Sequence, residues 1–300
     1  MSRLILSGAT GMIGAAIVRE ALRQGYGVTC LVRKDSPRIA NIPRSGNVRV
    51  VDCDISGYGS LELEGKHDVF VHLAWSKTTA GGRDDVDCQL ANIRYTLDAV
   101  RLAERSGCRV FIGAGSQAEY GLQSVPLTSS LPVRPESGYG IAKFSAGRLA
   151  SLLCGQLGMR FNWLRILSVY GPHDGEHSLV SYCVRELLAG RSPELTECAQ
   201  QWDYLYCDDA ARAFLAVAER GKDGAVYPLG SGQGRRLSEY VSDIRDAINP
   251  SLQPGFGKKS YYPHQPMFLV ADVSELERDT GWRPQVAFAE GIRRVLGAQE

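Results

Sequence analysis

Arg3-Leu4-Ile5-Leu6-Ser7-Gly8-Ala9-Thr10-Gly11-Met12-Ile13-Gly14 is the stretch whose reading decides the fold. Its first half is a short apolar run, which reads as a buried strand. Its second half spaces three glycines as Gly8-x-x-Gly11-x-x-Gly14, directly before an amphipathic helix over 13–24 that Gly25 closes. Glycines at that spacing allow a tight turn and let main-chain N–H groups approach a pyrophosphate at a helix N-terminus. Gly8, Thr10, Gly11, Met12, Ile13 and Gly14 are therefore expected to hold the diphosphate of a dinucleotide. The spacing departs from the commoner G-x-G-x-x-G, so the strand–turn–helix context carries the reading.

Working outward, strands are expected at 28–32, 48–51, 68–73, 109–113 and 161–167, with long helices over 85–105 and 139–157. Strands and helices alternating at this spacing predict an α/β fold with a doubly wound parallel sheet, covered on both faces. After Tyr170-Gly171-Pro172 the rhythm changes to short elements, with helices near 179–189, 208–220 and 238–248. We read residues 1–170 as the nucleotide-binding domain and 171–300 as a smaller, substrate-binding part packed on it.

Composition narrows the partners. Lys and Arg number 34 against 33 Asp and Glu, a net charge of +1, and no basic run interrupts the chain, which argues against nucleic acid or a membrane surface. No segment approaches the roughly 20 uninterrupted apolar residues that span a bilayer. The eight cysteines are scattered with no Cys-x-x-Cys pair, as expected for reduced thiols. With a strand starting at Arg3 leaving no room for a signal peptide, a cytoplasmic location is expected.

The end of the second strand bears on which dinucleotide is taken. A carboxylate there would accept the adenine-ribose hydroxyls; this chain has Val32 followed by Arg33-Lys34. Two cations favour NADP(H), because a guanidinium pairs with phosphate oxygens through two hydrogen bonds. Asp35 follows closely and keeps NAD(H) open. Asp54-Ile55 would sit beside the adenine, and Leu73, Ala74 and Trp75, after His72, would line the cleft. His72 is more readily a packed core histidine than an acid–base group. Downstream, Tyr139 and Lys143 stand one helical turn apart on one face, a phenol and an ammonium suited to proton transfer. Pro172-His173-Asp174-Gly175-Glu176-His177 gathers metal-ligand types, but Pro172 and Gly175 disfavour a regular helix and no third ligand follows, so no metal is expected.

The glycine loop, Asp54-Ile55, His72-Leu73-Ala74, Asn92, Ser116, Tyr139-x-x-x-Lys143, Tyr170-Gly171-Pro172, the run Trp202–Ala210 and the closing Gly281-Trp282-Arg283-Pro284 occur in the order found in the extended short-chain dehydrogenase/reductases. The chain most resembles their NAD-dependent epimerase/dehydratase group, which acts on nucleotide-linked sugars. Gly115-Ser116-Gln117-Ala118-Glu119-Tyr120-Gly121, Trp202-Asp203-Tyr204-Leu205-Tyr206 and Gln265-Pro266-Met267 together look most like the branch of CDP-abequose synthase, reductases of 4-keto-deoxysugar nucleotides. The resemblance implies a Rossmann core, a sugar-nucleotide part, and a homodimer built through two long helices. It makes Ser116, Tyr139 and Lys143 catalytic and gives Asn92, Tyr139 and Lys143 a place beside the cofactor. From their positions, Gln117, Glu119, Tyr120 and His177 are candidates for the substrate, as are Trp202 and Tyr204, for which plain packing on a strand is slightly favoured over stacking on a sugar or base. There are departures. Trp202 stands where the family often has a diphosphate-binding arginine, and a second such arginine is missing before Ala271-Asp272-Val273-Ser274. Arg235, Arg236, Lys258 and Lys259 are the candidate substitutes. The dehydratase signature Thr-Asp-Glu is absent.

On this reading a keto sugar places its carbonyl oxygen between Ser116 and Tyr139. Tyr139 gives it a proton as general acid, Ser116 holds it, and Lys143 anchors the nicotinamide ribose and stabilises the phenolate. A cation about 5 Å away at an effective dielectric of about 20 contributes roughly 3 kcal/mol, enough to move a phenol from about 10 towards about 8. An epimerase or dehydratase that recycles hydride through tightly held NAD uses the same trio, and a non-catalytic dinucleotide-binding protein is the third reading.

Overall fold

The computed structural model describes residues 2–298. The opening run forms β1 (Arg3–Ser7), followed by β2 (Gly27–Val32), β3 (Val48–Asp52), β4 (Val69–His72), β5 (Val110–Ser116) and β6 (Arg160–Ile166). Shorter strands come next: β7 (Ser168–Tyr170), β8 (Gln201–Trp202), β9 (Tyr204–Tyr206), β10 (Val226–Leu229), β11 (Arg235–Arg236) and β12 (Phe268–Leu269). The helices are α1 (Met12–Arg23), α2 (Val86–Arg105), α3 (Gly138–Gln156), α4 (Leu179–Leu188), α5 (Cys207–Arg220), α6 (Leu237–Ile248), α7 (Ser274–Thr280) and α8 (Phe288–Gly297).

Seven strands make one parallel sheet in the order β10-β6-β5-β4-β1-β2-β3. Chain direction through the sheet reverses between β1 and β4, and the crevice beyond the carboxyl ends of strands at such a point is where ligands bind. Side chains of β1 alternate: Leu4 and Leu6 join α1 and α5 in one core, while Ile5 faces α2 and α3 in the other. All three are fully buried, each stabilising the fold by about 1.5–3 kcal/mol relative to exposure. This two-sided burial is why the strand reads as a continuous apolar run.

Two expectations needed revision. The fifth strand was expected to stop at Gly113, but β5 runs on to Ser116, pairing Ala114, Gly115 and Ser116 with Leu164, Arg165 and Ile166. Glycine weakens strand propensity, which hid the extension; here Gly113 is required because a Cβ would overlap the Trp163 ring. The division at residue 170 does not coincide with the large sheet. After that point the chain returns to it, adding β10 beside β6 and packing α5 against α1. Pro228 inside Val226-Tyr227-Pro228-Leu229 masks the strand in the sequence, and it is tolerated because β10 is an edge.

The remaining elements form the three-stranded sheet β11-β8-β12, the pair β7-β9, and α4, α6 and α8 around them. Two buried carboxylates stitch this part together. Asp203 accepts hydrogen bonds from the Ser231, Gly232 and Ala271 main chain and from the Ser231 hydroxyl. Asp209 accepts from Gln285 and Val286 N–H, and Trp282 donates to the Asp209 carbonyl. The Trp202–Ala210 and Gly281–Pro284 motifs thus meet each other, and this part of them is architectural. All eight cysteines are unpaired, and among the described residues no helix is long and apolar enough to cross a membrane.

Candidate active site

The glycine loop leaves β1 and turns into α1 at the reversal point. Gly8 has φ +74°, a conformation that favours glycine, and a Cβ there would lie 2.9 Å from the Ala74 nitrogen. At Gly14 a Cβ would overlap the Gly8 carbonyl oxygen and lie 2.8 Å from Ala9 Cα. The N-cap of α1 is Gly11, so no side chain occupies the first-turn N–H groups. They remain free for an anion, the arrangement a dinucleotide diphosphate requires.

A cavity of about 700 Å3 opens beside this loop, lined among others by Gly8, Thr10, Gly11, Asp54, Ile55, Leu73, Ala74 and Trp75. The residues expected at the adenine and along the cleft are therefore brought together with the loop. Met12, Ile13 and Gly14 shape the turn without lining the cavity. Arg33 reaches the cavity together with Arg38 and Lys77, whereas Lys34 does not line it. Sequence reading missed Arg38 because a turn through Asp35, at φ 57°, folds the chain back and carries it in.

Ser7 braces the opposite wall. Its hydroxyl accepts the Leu73 and Ala74 N–H groups at 3.1 and 3.2 Å and bonds His72 Nδ1 at 2.9 Å. His72 is buried, and burial, with help from Lys143, lowers its pKa to about 3. It is a neutral core histidine. Asn92 is fully buried on α2, where it accepts Ser76 N–H and donates back to Ser76 carbonyl. It fixes the chain after Trp75 and is neither on the helix surface nor in the cavity lining.

Ser116 ends β5, and Tyr139 and Lys143 sit on the first turns of α3, which Ser137 caps by accepting Gly140 N–H at 3.1 Å. Lys143 is buried, donates to the Ala114 carbonyl at 2.7 Å, and lies 3.8 Å from the centre of the Trp75 ring. Trp75 also packs edge-on against Tyr139 with ring centres 6.0 Å apart, and its indole N–H is held by Gln89 at 2.9 Å. Trp75 thereby connects the dinucleotide cavity to the trio. Burial lowers the Lys143 ammonium to about 7, which Glu119 partly offsets. Burial pushes the Tyr139 phenol up; a Ser116 hydrogen bond and the Arg83 charge work against the rise, and Glu119 adds to it. The expectation that Lys143 brings the phenol towards about 8 is thus corrected in the protein alone. Burial outweighs the neighbouring positive charge, so the phenol stands above its ordinary value rather than below it.

Glu119 and Tyr120 are buried and point into the core. Glu119 is 1% exposed, accepts Ser116 N–H at 2.8 Å and Trp163 Nε1–H at 2.9 Å, and pairs with Arg165 at 2.8 Å. Tyr120 is fully buried, with its hydroxyl donating to the Thr128 carbonyl. Both point inward because residues 117–119 form a single 3-10 turn whose capping box, from Ser116 to Glu119, folds Glu119 back under β5. Gln117 begins that turn, half-buried and outside the cavity linings.

His177, Trp202 and Tyr204 meet instead in a second cavity of about 510 Å3, together with Tyr182, Lys259 and Gln265. Of the four basic residues considered as substitutes for the missing arginines, Lys259 alone lines it. Arg235 is committed to Glu239 and Asp243.

The chain is similar to known proteins over nearly its whole length. Residues 4–230 match the NAD dependent epimerase/dehydratase family. The UDP-glucose 4-epimerase of Mycolicibacterium smegmatis is 27% identical, with 98% of this chain and 97% of that protein covered. The CDP-abequose synthase of Salmonella typhimurium is 24% identical, covering 98% and 97%. Among solved structures, the UDP-glucose 4-epimerase of Thermotoga maritima with UDP-glucose superposes with a TM-score of 0.88 at 22% identity, covering 99% of this chain and 98% of that one. On the extent of the family match, this chain belongs to the NAD dependent epimerase/dehydratase family.

Proposed function

We propose that the protein is an NADPH-dependent reductase of a 4-keto-(deoxy)sugar nucleotide, with Tyr139 as general acid. The observation that carries this reading is the pairing of a Ser116–Tyr139–Lys143 site with Arg33 and Arg38 on the rim of the dinucleotide cavity, where the last residue of β2 is Val32 rather than a carboxylate. Gly8, Thr10 and Gly11 would hold the diphosphate, Asp54 and Ile55 the adenosine, and Arg33 with Arg38 a 2′-phosphate. A bound dihydronicotinamide supplies the hydride that reduces the carbonyl carbon. Tyr139 transfers its hydroxyl proton to the carbonyl oxygen, Ser116 hydrogen-bonds that oxygen, and the phenolate regains a proton from solvent. His177, Trp202, Tyr204 and Lys259 would take the nucleotide end of the substrate, Lys259 as its cation.

The test is stoichiometry. With a 4-keto-6-deoxyhexose nucleotide, the reductase oxidises one NADPH per sugar reduced; absence of cofactor consumption with every such sugar offered overturns the reading. A 4-epimerase using bound NAD is the second reading, favoured by the similarity to UDP-glucose 4-epimerases. It would interconvert epimers with no net consumption.

Cofactor choice can be tested separately. Two exposed guanidinium–phosphate contacts at about 1 kcal/mol each amount to a preference of about 30-fold. The double variant Arg33→Ser/Arg38→Ser is expected to lose about that factor in NADPH affinity and leave NADH affinity unchanged, as read by fluorescence titration.

We further infer a homodimer through α2 and α3. Val86 and Leu90 on α2 are 73% and 64% exposed, and Ile141 and Leu152 on α3 are 51% and 64% exposed. Such an apolar stripe on two packed helices needs a cover. Leu90→Glu/Leu152→Glu is expected to sediment as a monomer; an unchanged sedimentation coefficient contradicts this interface.

A further inference from the structure

The loop over residues 76–85 is fastened at both ends. Asn92 clamps Ser76, Gln89 donates to the Lys77 and Gly82 carbonyls, Lys77 pairs with Asp85, and Asp84 accepts Gly138 N–H at 2.7 Å. That last bond docks the loop on the first turn of α3, beside Tyr139. The docking lays Arg83 across the phenol, with its guanidinium carbon 4.7 Å from the ring centre. Arg83 is half-buried, and among the described residues it has no carboxylate partner, although two aspartates follow it directly.

We propose that Arg83 is a positioning residue of the reaction, its guanidinium lying on the face of the Tyr139 ring as the permanent charge that stabilises the phenolate. The inference rests on the proposed role of Tyr139 as general acid. A phenolate spreads its charge into the ring, so a cation stacked on the face gains attraction when the proton leaves. Arginine stays charged at every pH the protein meets. Lys143 stands farther from the ring centre, at 5.8 Å, and its ammonium is engaged by the Ala114 carbonyl and the Trp75 ring. The remaining groups around the ring do not replace it. Glu119, from the turn after β5, opposes ionisation and is itself paired with Arg165. Ser116 and Trp75 are neutral. On the loop, Asp85 is paired with Lys77, and Asp84 is engaged with the α3 N-terminus.

The test reads Tyr139 directly and needs no substrate. In protein labelled with ring-13C tyrosine, the Tyr139 signal is assigned by its loss in Tyr139→Phe, then titrated in wild type, Arg83→Met and Arg83→Lys. Circular dichroism sets the pH range over which each stays folded. Arg83→Met is expected to raise the midpoint by about one pH unit, Arg83→Lys by less than half of that, and added salt to narrow the gap. Where the midpoint lies above the folded range, a smaller phenolate fraction in Arg83→Met than in wild type at the same pH carries the same result. Equal fractions or equal midpoints overturn the proposal. A chain that shows the shift yet reduces no keto sugar overturns the functional reading instead and leaves the role of Arg83 standing.

Discussion

Tyr139→Phe is expected to lower turnover about a thousandfold and to leave NADPH affinity within about twofold of wild type. The factor is that of a positioned general acid removed from the transition state, about 4 kcal/mol. Tyr139 meets Trp75 edge-on, lies under Arg83 and has Lys143 one turn away, and none of these contacts depends on its hydroxyl. The variant should therefore keep its fold and cavity, and the loss should fall on kcat rather than KM. Steady-state kinetics beside a cofactor titration separate the two. A variant with more than a tenth of wild-type turnover would remove Tyr139 from the proton path.

The second large effect is expected at the turn. In Gly14→Ala the new Cβ overlaps the Gly8 carbonyl oxygen and comes within 2.8 and 2.9 Å of Ala9 Cα and Gly8 carbon. All three are backbone atoms, so no side chain can swing aside and the loop itself must move. Overpacking of this kind costs about 1–3 kcal/mol of stability. It also shifts Gly8, Thr10 and Gly11, whose main chain borders the cavity. Cofactor affinity should fall at least about a hundredfold, by calorimetry, with a lowered melting temperature that NADPH no longer raises. An affinity within about threefold of wild type would mean that the loop does not hold the diphosphate. Gly155→Ala is the control, because a Cβ there meets nothing within 4 Å.

The sequence made the main architecture legible where physical signals are local. The run Leu4-Ile5-Leu6 and the glycine spacing after it locate β1, the turn and α1, because a two-sided strand and a cradle for an anion each leave a short pattern. That Ser116, Tyr139 and Lys143 come together was legible through their spacing and order. The signal failed where a contact joins distant segments. Nothing near Arg38 or Arg83 announces that a left-handed turn at Asp35 or a docked loop at Gly138 will deliver a guanidinium to the site. Glu119 and Tyr120 misled for the opposite reason: they adjoin Ser116 in the chain, but a one-turn capping box points Glu119 at Arg165. Strand β10 was hidden by Pro228, which its edge position permits. The charge state of the lysine was also out of reach, since it is set by burial, and burial is a property of the assembled core.

The most direct measurement is of the nucleotide itself. Freshly purified protein is denatured, the released nucleotides are identified by mass spectrometry, and the stripped protein is titrated with NADPH and NADH. Little retained nucleotide and tighter binding of NADPH, lost on replacing Arg33 and Arg38, are expected. Stoichiometric NAD released from the protein and exchanging poorly would contradict the reductase reading, and would make this site one that takes hydride from the sugar and returns it.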